Sequence, residues 1–168
     1  MVRFNLRPLD EPLTPRLGNR FGLVFLGLPV GIADRGERLA AVKQRMDAIK
    51  RSPEGSIAYA FLNAMGVTPA PVESALLDLF TARGTAVVTN VPGPSHTVHL
   101  AGVPVRGVLV WAPCSGSVGM SVSILSYAGD VTVAVMSDAG LMPHPERLVD
   151  GLIDELDGLR ALPRGRAR

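Results

Sequence analysis

The stretch Thr85–His96 reads TAVVTNVPGPSH, and it marks the point where the sequence changes from helical to extended periodicity. The Ala-Val-Val run at 86–88 favours a buried strand. Pro92 and Pro94 each lack a backbone N–H and disfavour helix for the residue before them. An isolated Pro-Gly usually marks an ordinary turn, but two prolines, a glycine and an asparagine make a stiffer connection of the kind that often lines a site. The pattern predicts a strand over 85–90 that stops abruptly in this turn.

The residues before this stretch predict three helices. Asp34 followed by Glu37 is typical of a capping box, and the helix it starts ends before Pro53. Ser52 and Pro53 then begin a second helix, which Gly66 stops. A third helix runs over Pro71–Arg83 and ends at Gly84. The three predicted apolar stripes are Leu39, Val42, Met46 and Ile49; Ile57, Phe61, Leu62 and Met65; and Val72, Leu76, Leu79 and Phe80.

Two strands are predicted nearer the start of the chain. Val2, Phe4 and Leu6 alternate with polar residues, which is typical of a half-buried strand. A proline-rich loop over Leu9–Arg20 leads into Phe21–Val30, whose nearly continuous apolar run predicts a second, buried strand.

The residues after the turn predict three more strands and a helix. The strands cover 97–111 with a break near Gly102, 119–128, and 131–138; the last two form a hairpin around Gly129. The helix starts at Pro145. Its apolar face carries Leu148, Val149, Leu152, Ile153, Leu156 and Leu159, and its other face carries Asp150, Asp154, Glu155 and Asp157. The whole pattern predicts an α/β (α+β layered) domain over residues 1–162, a mixed sheet with helices packed against it, followed by a basic tail at 163–168.

The composition restricts the classes of function. A chain of 168 residues is long enough for one domain or for half of a larger enzyme. It is 47% hydrophobic and 19% charged, so we expect something beyond its own core to cover it, and we expect the isolated chain to dimerise or aggregate. The net charge of +2 argues against nucleic-acid binding. No membrane span or secretory signal is evident, which predicts a cytoplasmic protein whose basic tail is solvated or touches an anionic membrane surface.

No complete catalytic apparatus is evident, so no catalytic residue and no metal ligand is assigned. Ser121 lacks the second glycine of a nucleophile elbow, and it and its strand neighbours are expected to satisfy local hydrogen bonds. His96 and His99 lie three apart in an extended stretch and point to opposite faces. Cys114 has no basic neighbour in sequence, which favours a small loop residue over a nucleophile. Ser126 and Tyr127 precede the hairpin turn, where hydrogen bonding across the sheet is favoured over ligand contact.

Three segments together resemble the carboxyl-terminal domain of the bacterial wax ester synthase and acyl-CoA:diacylglycerol acyltransferase family. They are RLGNRFGLVFLGLPVG at Arg16–Gly31, AVVTNVPGP at Ala86–Pro94, and SVSILSYAGDVTVAVMSDAGLMPHPERL at Ser121–Leu148. The Asn-Val-Pro-Gly-Pro run and the Ser-Tyr-x-Gly hairpin are specific in combination. The resemblance spans nearly the whole chain.

The resemblance implies one half of a fold like that of chloramphenicol acetyltransferase, in which two similar halves enclose a tunnel. It also implies that a His-His-x-x-x-Asp-Gly motif in the amino-terminal half supplies the general base, and this chain has no such motif. The chain is therefore expected to be inactive alone and to work with that half as its partner. The residues expected to contact substrate or the other half are Asn90, Val91, Pro92, Gly93, Pro94, Ser126 and Tyr127.

Two classes of function follow from the resemblance. In the first, the chain is the tunnel-forming half of an O-acyltransferase that esterifies a long-chain alcohol or diacylglycerol with acyl-CoA, in wax ester or triacylglycerol synthesis. In the second, it is a non-catalytic lipid-binding or dimerisation module derived from that family. Neither class needs a cofactor, because acyl-CoA is a substrate of the complete enzyme. Both are compatible with a cytoplasmic protein peripheral to membranes or lipid inclusions.

Overall fold

The computed structural model describes residues 1–5, 21–114 and 117–162. Within them the chain forms seven strands and four helices, in an order that mixes the two. The elements are β1 (Val2–Asn5), β2 (Phe21–Val24), α1 (Arg35–Arg51), α2 (Glu54–Met65), α3 (Ala70–Thr81), β3 (Val87–Pro92), β4 (His99–Leu100), β5 (Val103–Pro104), β6 (Met120–Tyr127), β7 (Asp130–Ser137) and α4 (Glu146–Arg160). The end of the first predicted strand, the predicted loop over Leu9–Arg20 and the basic tail lie outside the described residues.

Five strands form one mixed sheet in the order β2-β1-β3-β6-β7, and β4 pairs with β5 in a separate hairpin. β3 runs parallel to both β1 and β6, and β6 runs antiparallel to β7. The mixed sheet with helices confirms the predicted fold class. None of the four helices is long and apolar enough to cross a membrane, over the residues that the structure describes.

The chain divides into two compact units. The first unit contains residues 1–3 and 65–143, and therefore α3, β3 and everything up to the end of β7. The second contains residues 4–64 and 144–168, with β2, α1, most of α2, and α4.

Helices α1 and α4 pair within the second unit. The Asp34 carboxylate accepts the Glu37 N–H at 2.9 Å, which confirms the predicted start of α1. Glu155 of α4 accepts hydrogen bonds from Arg38 and from Arg35 of α1, the latter at 2.9 Å. These two guanidinium groups lower the pKa of Glu155, so their small contribution to stability is present at neutral pH and is lost as the pH falls into the acid range.

The apolar stripe of α4 is covered only at its ends. Leu148 and Leu159 are half-buried, whereas the four apolar residues between them are exposed: Val149, Leu152, Ile153 and Leu156. Glu155, predicted on the solvent face, lies half-buried toward the arginines of α1.

Helix α2 packs through small residues in addition to most of its predicted stripe, of which Phe61 and Leu62 are half-buried and Met65 is buried. Gly55, Ala58 and Met65 are its buried residues, whereas Ile57 is 63% exposed, so the prediction for Ile57 was wrong. The reason is a close approach of two backbones, because a Cβ on Gly22 of β2 would collide with the main-chain oxygen of Gly55. Such an approach turns the Gly55 and Ala58 side of the helix inward.

Helix α3 also differs from its predicted stripe. Leu76 and Phe80 are half-buried, whereas Val72 and Leu79 are 47% and 74% exposed. The buried residue is Thr81, whose hydroxyl donates to the Leu77 carbonyl oxygen at 2.9 Å. A polar residue can be buried here because its hydroxyl is satisfied within the helix.

Three predicted strand boundaries were wrong. The strand predicted over Phe21–Val30 ends at Val24, ahead of the break made by Gly27 and Pro29. The strand predicted over 97–111 is instead the short hairpin β4–β5, with two residues in each strand and a turn that places Ala101 and Gly102 at φ 49° and 83°. The strand predicted over 85–90 begins at Val87 and continues through Pro92.

The hairpin of β6 and β7 was predicted correctly. Its turn places Ala128 and Gly129 at φ 49° and 94°, so both central residues are left-handed, as a tight hairpin of this twist requires. Only Gly129 takes this conformation without a steric cost.

Candidate functional site

The Asn-Val-Pro-Gly-Pro run does not leave the sheet where β3 was predicted to stop. Pro92 is paired with Ser126 of β6, the Gly93 N–H donates to the Ser126 carbonyl oxygen at 2.8 Å, and the Ala128 N–H donates to the Pro94 carbonyl oxygen at 2.9 Å. The run is thereby fixed along the end of β6 up to the β6–β7 turn. The predicted site residues from 90 to 94 lie beside Ser126, as neighbours within the first unit.

Pro92 is compatible with this ladder because of the direction in which its missing N–H would point. The Val88 N–H donates to Met1 on the β1 side, and the Gly93 N–H donates to Ser126 on the β6 side. N–H groups alternate along a strand, so residue 92 faces the β1 side, as Val88 does. Pro92 therefore removes no hydrogen bond between β3 and β6.

Gly93 is held at a place where no side chain fits. A Cβ on this residue would collide with the Ser126 carbonyl oxygen, the same atom that accepts the Gly93 N–H. The glycine is required by this close approach, and it determines how the two prolines are placed.

Asn90 and Ser126 share one face of the sheet, and Ser121, Ser123 and Tyr127 lie on the opposite face. Asn90 is paired with Ile124, and both Asn90 and Ser126 are exposed. The other residues on this face are mostly apolar and half-buried or exposed, among them Val88, Val122, Ile124, Val131, Val133 and Val135. Asn90 and Ser126 are thus polar groups on a mostly apolar surface.

We expect Asn90→Ala to change the free energy of unfolding by less than about 0.5 kcal/mol, the usual range for exposed positions. Among the described residues, no hydrogen bond involves the Asn90 side chain, so the substitution leaves no partner unsatisfied. Urea denaturation of the two proteins measures the difference. A loss near 1 kcal/mol would instead assign Asn90 a local bond in its own turn.

The Tyr127 hydroxyl forms its hydrogen bonds with the main chain and does not face an open site. Its phenol oxygen accepts the Val98 N–H at 2.9 Å and donates to the Val105 carbonyl oxygen at 2.7 Å. The residue is 6% exposed. Tyr127 therefore fixes the base of the β4–β5 hairpin, which agrees with the structural interpretation favoured from the sequence.

Two serines of β6 hold the segment that follows this hairpin. Ser121 donates to the Ala112 carbonyl oxygen at 2.7 Å, and Ser123 accepts the Ala112 N–H at 2.9 Å. Both serines are 1% exposed. The expected hydrogen bonds of these serines are confirmed, but the sequence did not predict their partner, which lies just after the strand predicted over 97–111.

A cleft of about 550 Å³ lies in the first unit, between the segment after β5 and the end of β7. It is lined by Cys114, Ser117, Val118, Gly119, Met136, Ser137, Asp138 and Leu141. The Asp138 carboxylate accepts hydrogen bonds from the N–H groups of Gly140 and Leu141 at 2.8 and 3.1 Å. It therefore stabilises the turn in which it lies. Among the described residues, no histidine lines the cleft.

The three histidines are divided between the two units. His96 and His99 are exposed in the first unit, and His144 lies in the second, where its Nδ1 is 3.0 Å from a Glu146 carboxylate oxygen. Within residues 1–5, 21–114 and 117–162, no cluster of three or more His, Cys, Asp or Glu side chains is placed to hold a metal ion.

Comparison with known proteins gives one consistent result. A family model described as the WS/DGAT C-terminal domain matches residues 17–160. A probable diacylglycerol O-acyltransferase of Mycobacterium tuberculosis is 27% identical over 152 residues, which cover 88% of this chain and 33% of that protein. Wax ester synthase/diacylglycerol acyltransferase 8 of Arabidopsis thaliana is 26% identical over 164 residues, which cover 93% of this chain and 33% of that protein. This chain spans about a third of the length of the curated relatives it matches.

A solved structure has the same fold. The wax ester synthase/diacylglycerol acyltransferase from Marinobacter aquaeolei VT8 matches with a TM-score of 0.55 and 22% identity, over 77% of this chain and 32% of that one. The family match covers most of the chain, and the resemblance found in its motifs is thereby confirmed. The chain belongs to the family of WS/DGAT C-terminal domains.

Proposed function

We propose that this chain is the carboxyl-terminal, tunnel-forming part of an O-acyltransferase that joins a long-chain alcohol or diacylglycerol to the acyl group of acyl-CoA. The observation that carries the proposal is the family match over residues 17–160. The names of the relatives, which include a probable diacylglycerol O-acyltransferase and a wax ester synthase, supply the class of reaction.

The general base, in this proposal, belongs to an amino-terminal part that carries the His-His-x-x-x-Asp-Gly motif. This chain has three histidines, none in that motif, and all three are exposed. A histidine of the motif takes the proton of the acceptor hydroxyl, and the oxygen attacks the thioester carbonyl carbon. The C–O bond forms, the C–S bond breaks, and the proton passes to the leaving thiolate of CoA.

In this proposal the chain helps to bind the lipid substrates and to form the tunnel that holds them. Its clearest candidate surface is the end of β3, where Asn90 stands on an apolar sheet face beside the rigid Pro-Gly-Pro run. An apolar surface with few polar groups is what long acyl chains require. Because the substrates are lipids, we place the enzyme in the cytoplasm at the surface of a membrane or lipid inclusion.

A chimera tests the proposal. This chain replaces the matching third of the Marinobacter aquaeolei relative, with a protease site at the junction, and is assayed with acyl-CoA and either a long-chain alcohol or diacylglycerol. We expect the chimera to form ester and this chain alone to form none, because a chain without a general base lacks the group that activates the hydroxyl.

The matched control is the same chimera with alanine in place of the motif histidines of its amino-terminal part. Ester formation by this chain alone, after contaminants are removed, would contradict the proposal. A folded chimera that forms no ester would also contradict it and would favour the lipid-binding or dimerisation module.

A further inference from the structure

Strand β7 forms one edge of the mixed sheet, and it has eight residues, whereas β2 at the other edge has four. The Asp138 N–H donates to the Gly119 carbonyl oxygen at 2.8 Å, and the direction of main-chain groups alternates along a strand. The even-numbered residues of β7 therefore bond to β6, and the N–H and C=O groups of Val131, Val133 and Val135 point away from the sheet. Over the residues that the structure describes, no main-chain hydrogen bond reaches these outward groups.

The β7 edge also lacks the features that usually keep a free edge from pairing. Its sequence, DVTVAVMS, contains no Lys, Arg, Pro or Gly, and its one charged residue, Asp130, stands at the start beside the turn. Val131 and Val133 are 66% and 44% exposed, although both are apolar. An edge that is long, apolar and without these features is a template for another strand.

A second copy of the same strand fits this edge, because the edge is self-complementary. Two antiparallel copies related by a two-fold axis exchange hydrogen bonds between identical sets of N–H and C=O groups. Their valine side chains then lie opposite one another on one face, and pairs of β-branched side chains stabilise a sheet. Such an assembly closes with two chains, since each copy uses the same surface.

The charges near the two ends of β7 select one register for this pairing. A two-fold axis centred on Ala134 would place Asp130 of one copy opposite Asp138 of the other, and like charges directly opposite destabilise a sheet. An axis centred on Val133 places Asp130 opposite Met136 instead. The register centred on Val133 therefore avoids the repulsion and still pairs most of the strand.

We propose that two copies of this chain pair through the outer side of β7, antiparallel and centred on Val133. Val131 of one copy then lies opposite Val135 of the other. Residues directly opposite in such a pair point to the same face, and Val131 shares the face that carries Asn90. Both copies therefore present this face on the same side of one continuous sheet. The pairing uses only groups of this chain and goes beyond the proposed function, so neither depends on the other.

Disulfide trapping tests both the contact and the register. In a Cys114→Ser background, one chain carries Thr132→Cys, and a second chain, enlarged by a tag, carries Ala134→Cys. In the proposed register these two positions form a non-hydrogen-bonded pair with Cα atoms about 4.5 Å apart, within the range of a disulfide. Each position lies about 8 Å from its own equivalent in the other copy, which is too far for a disulfide.

We expect the oxidised mixture to give a disulfide-linked product with the summed mass of the two different chains, and each variant alone to give little. A disulfide formed by Ala134→Cys alone would overturn the register centred on Val133. The absence of a disulfide in all three samples would overturn pairing through β7.

A charge substitution measures the same contact in solution. Val133→Lys places two ammonium groups at the centre of the pairing, and we expect the dissociation constant of the dimer to rise at least about tenfold in sedimentation equilibrium. Val103→Lys is the matched control, because it makes the same change at a 66% exposed valine of the same unit outside the five-stranded sheet. We expect it to leave the constant unchanged. An unsubstituted chain that stays monomeric at every concentration would overturn the proposal and leave this edge to a strand of the amino-terminal part, and equal effects of the two lysines would overturn it as well.

Discussion

Ser121→Ala combined with Ser123→Ala is expected to lower the free energy of unfolding by about 2–4 kcal/mol, from two hydrogen bonds to partly buried main-chain groups. The two hydroxyls satisfy the carbonyl and the N–H of the same residue, Ala112. With alanine at both positions, neither group has a partner on β6. Each single substitution should cost less, and the two effects are not expected to add, because they act on one residue.

Trp111, the single tryptophan of the chain, reports on this change because it precedes Ala112. We expect the double variant to unfold at lower urea concentration and its tryptophan anisotropy in the native state to fall. Ser126→Ala is the matched control, since Ser126 lies on the same strand with an exposed side chain. Equal destabilisation by the control would show that the bonds to Ala112 are not the cause.

Gly93→Ala is the second substitution with a large expected effect, a loss of about 1–3 kcal/mol from overpacking. The added methyl group would meet the Ser126 carbonyl oxygen, which is main chain and cannot move away as a side-chain tip does. To relieve the collision, the end of β3 must separate from β6, and the hydrogen bond between Gly93 and Ser126 is then lost as well.

Gly107→Ala is the control for this prediction. It makes the same chemical change in the same unit, but a Cβ at Gly107 has open space around it. We expect it to be neutral or slightly stabilising, since alanine restricts the unfolded chain. Thermal unfolding of both variants decides the matter, and similar melting temperatures for the two would refute the argument from close approach.

Local signals in the sequence were sufficient for the helices and for the last hairpin. The bond between Asp34 and Glu37 spans three residues, and the β6–β7 hairpin is closed by a two-residue turn, so each depends on interactions within one short segment. Patterns of this kind predict structure well when the local preference agrees with the global fold, as it does here.

Features that depend on distant contacts were predicted less well. The side of α2 that turns inward is decided by the approach of Gly22 to Gly55, and 33 residues separate them. The segment after β5 has the composition of a strand. It is held by hydrogen bonds with side chains of β6, however, and not by the main-chain hydrogen bonds of a sheet. The predicted site residues at 90–94 did come together with Ser126, because adjacent strands of a sheet end near one another, but the continuation of β3 through Pro92 required the register with β1 and β6.

Residues 105–112 are attached to β6 in a way that lets relatives differ in this segment. The attachments reach only main-chain atoms, at Val105 and at Ala112, and every amino acid except proline, which lacks the N–H, provides those atoms. Substitutions between the two anchors therefore leave the attachment intact, and doubling the length of the connection adds only about 0.6 kcal/mol of closure entropy. We expect relatives to vary freely in sequence and length between these anchors while they retain a hydroxyl at each of the three β6 positions.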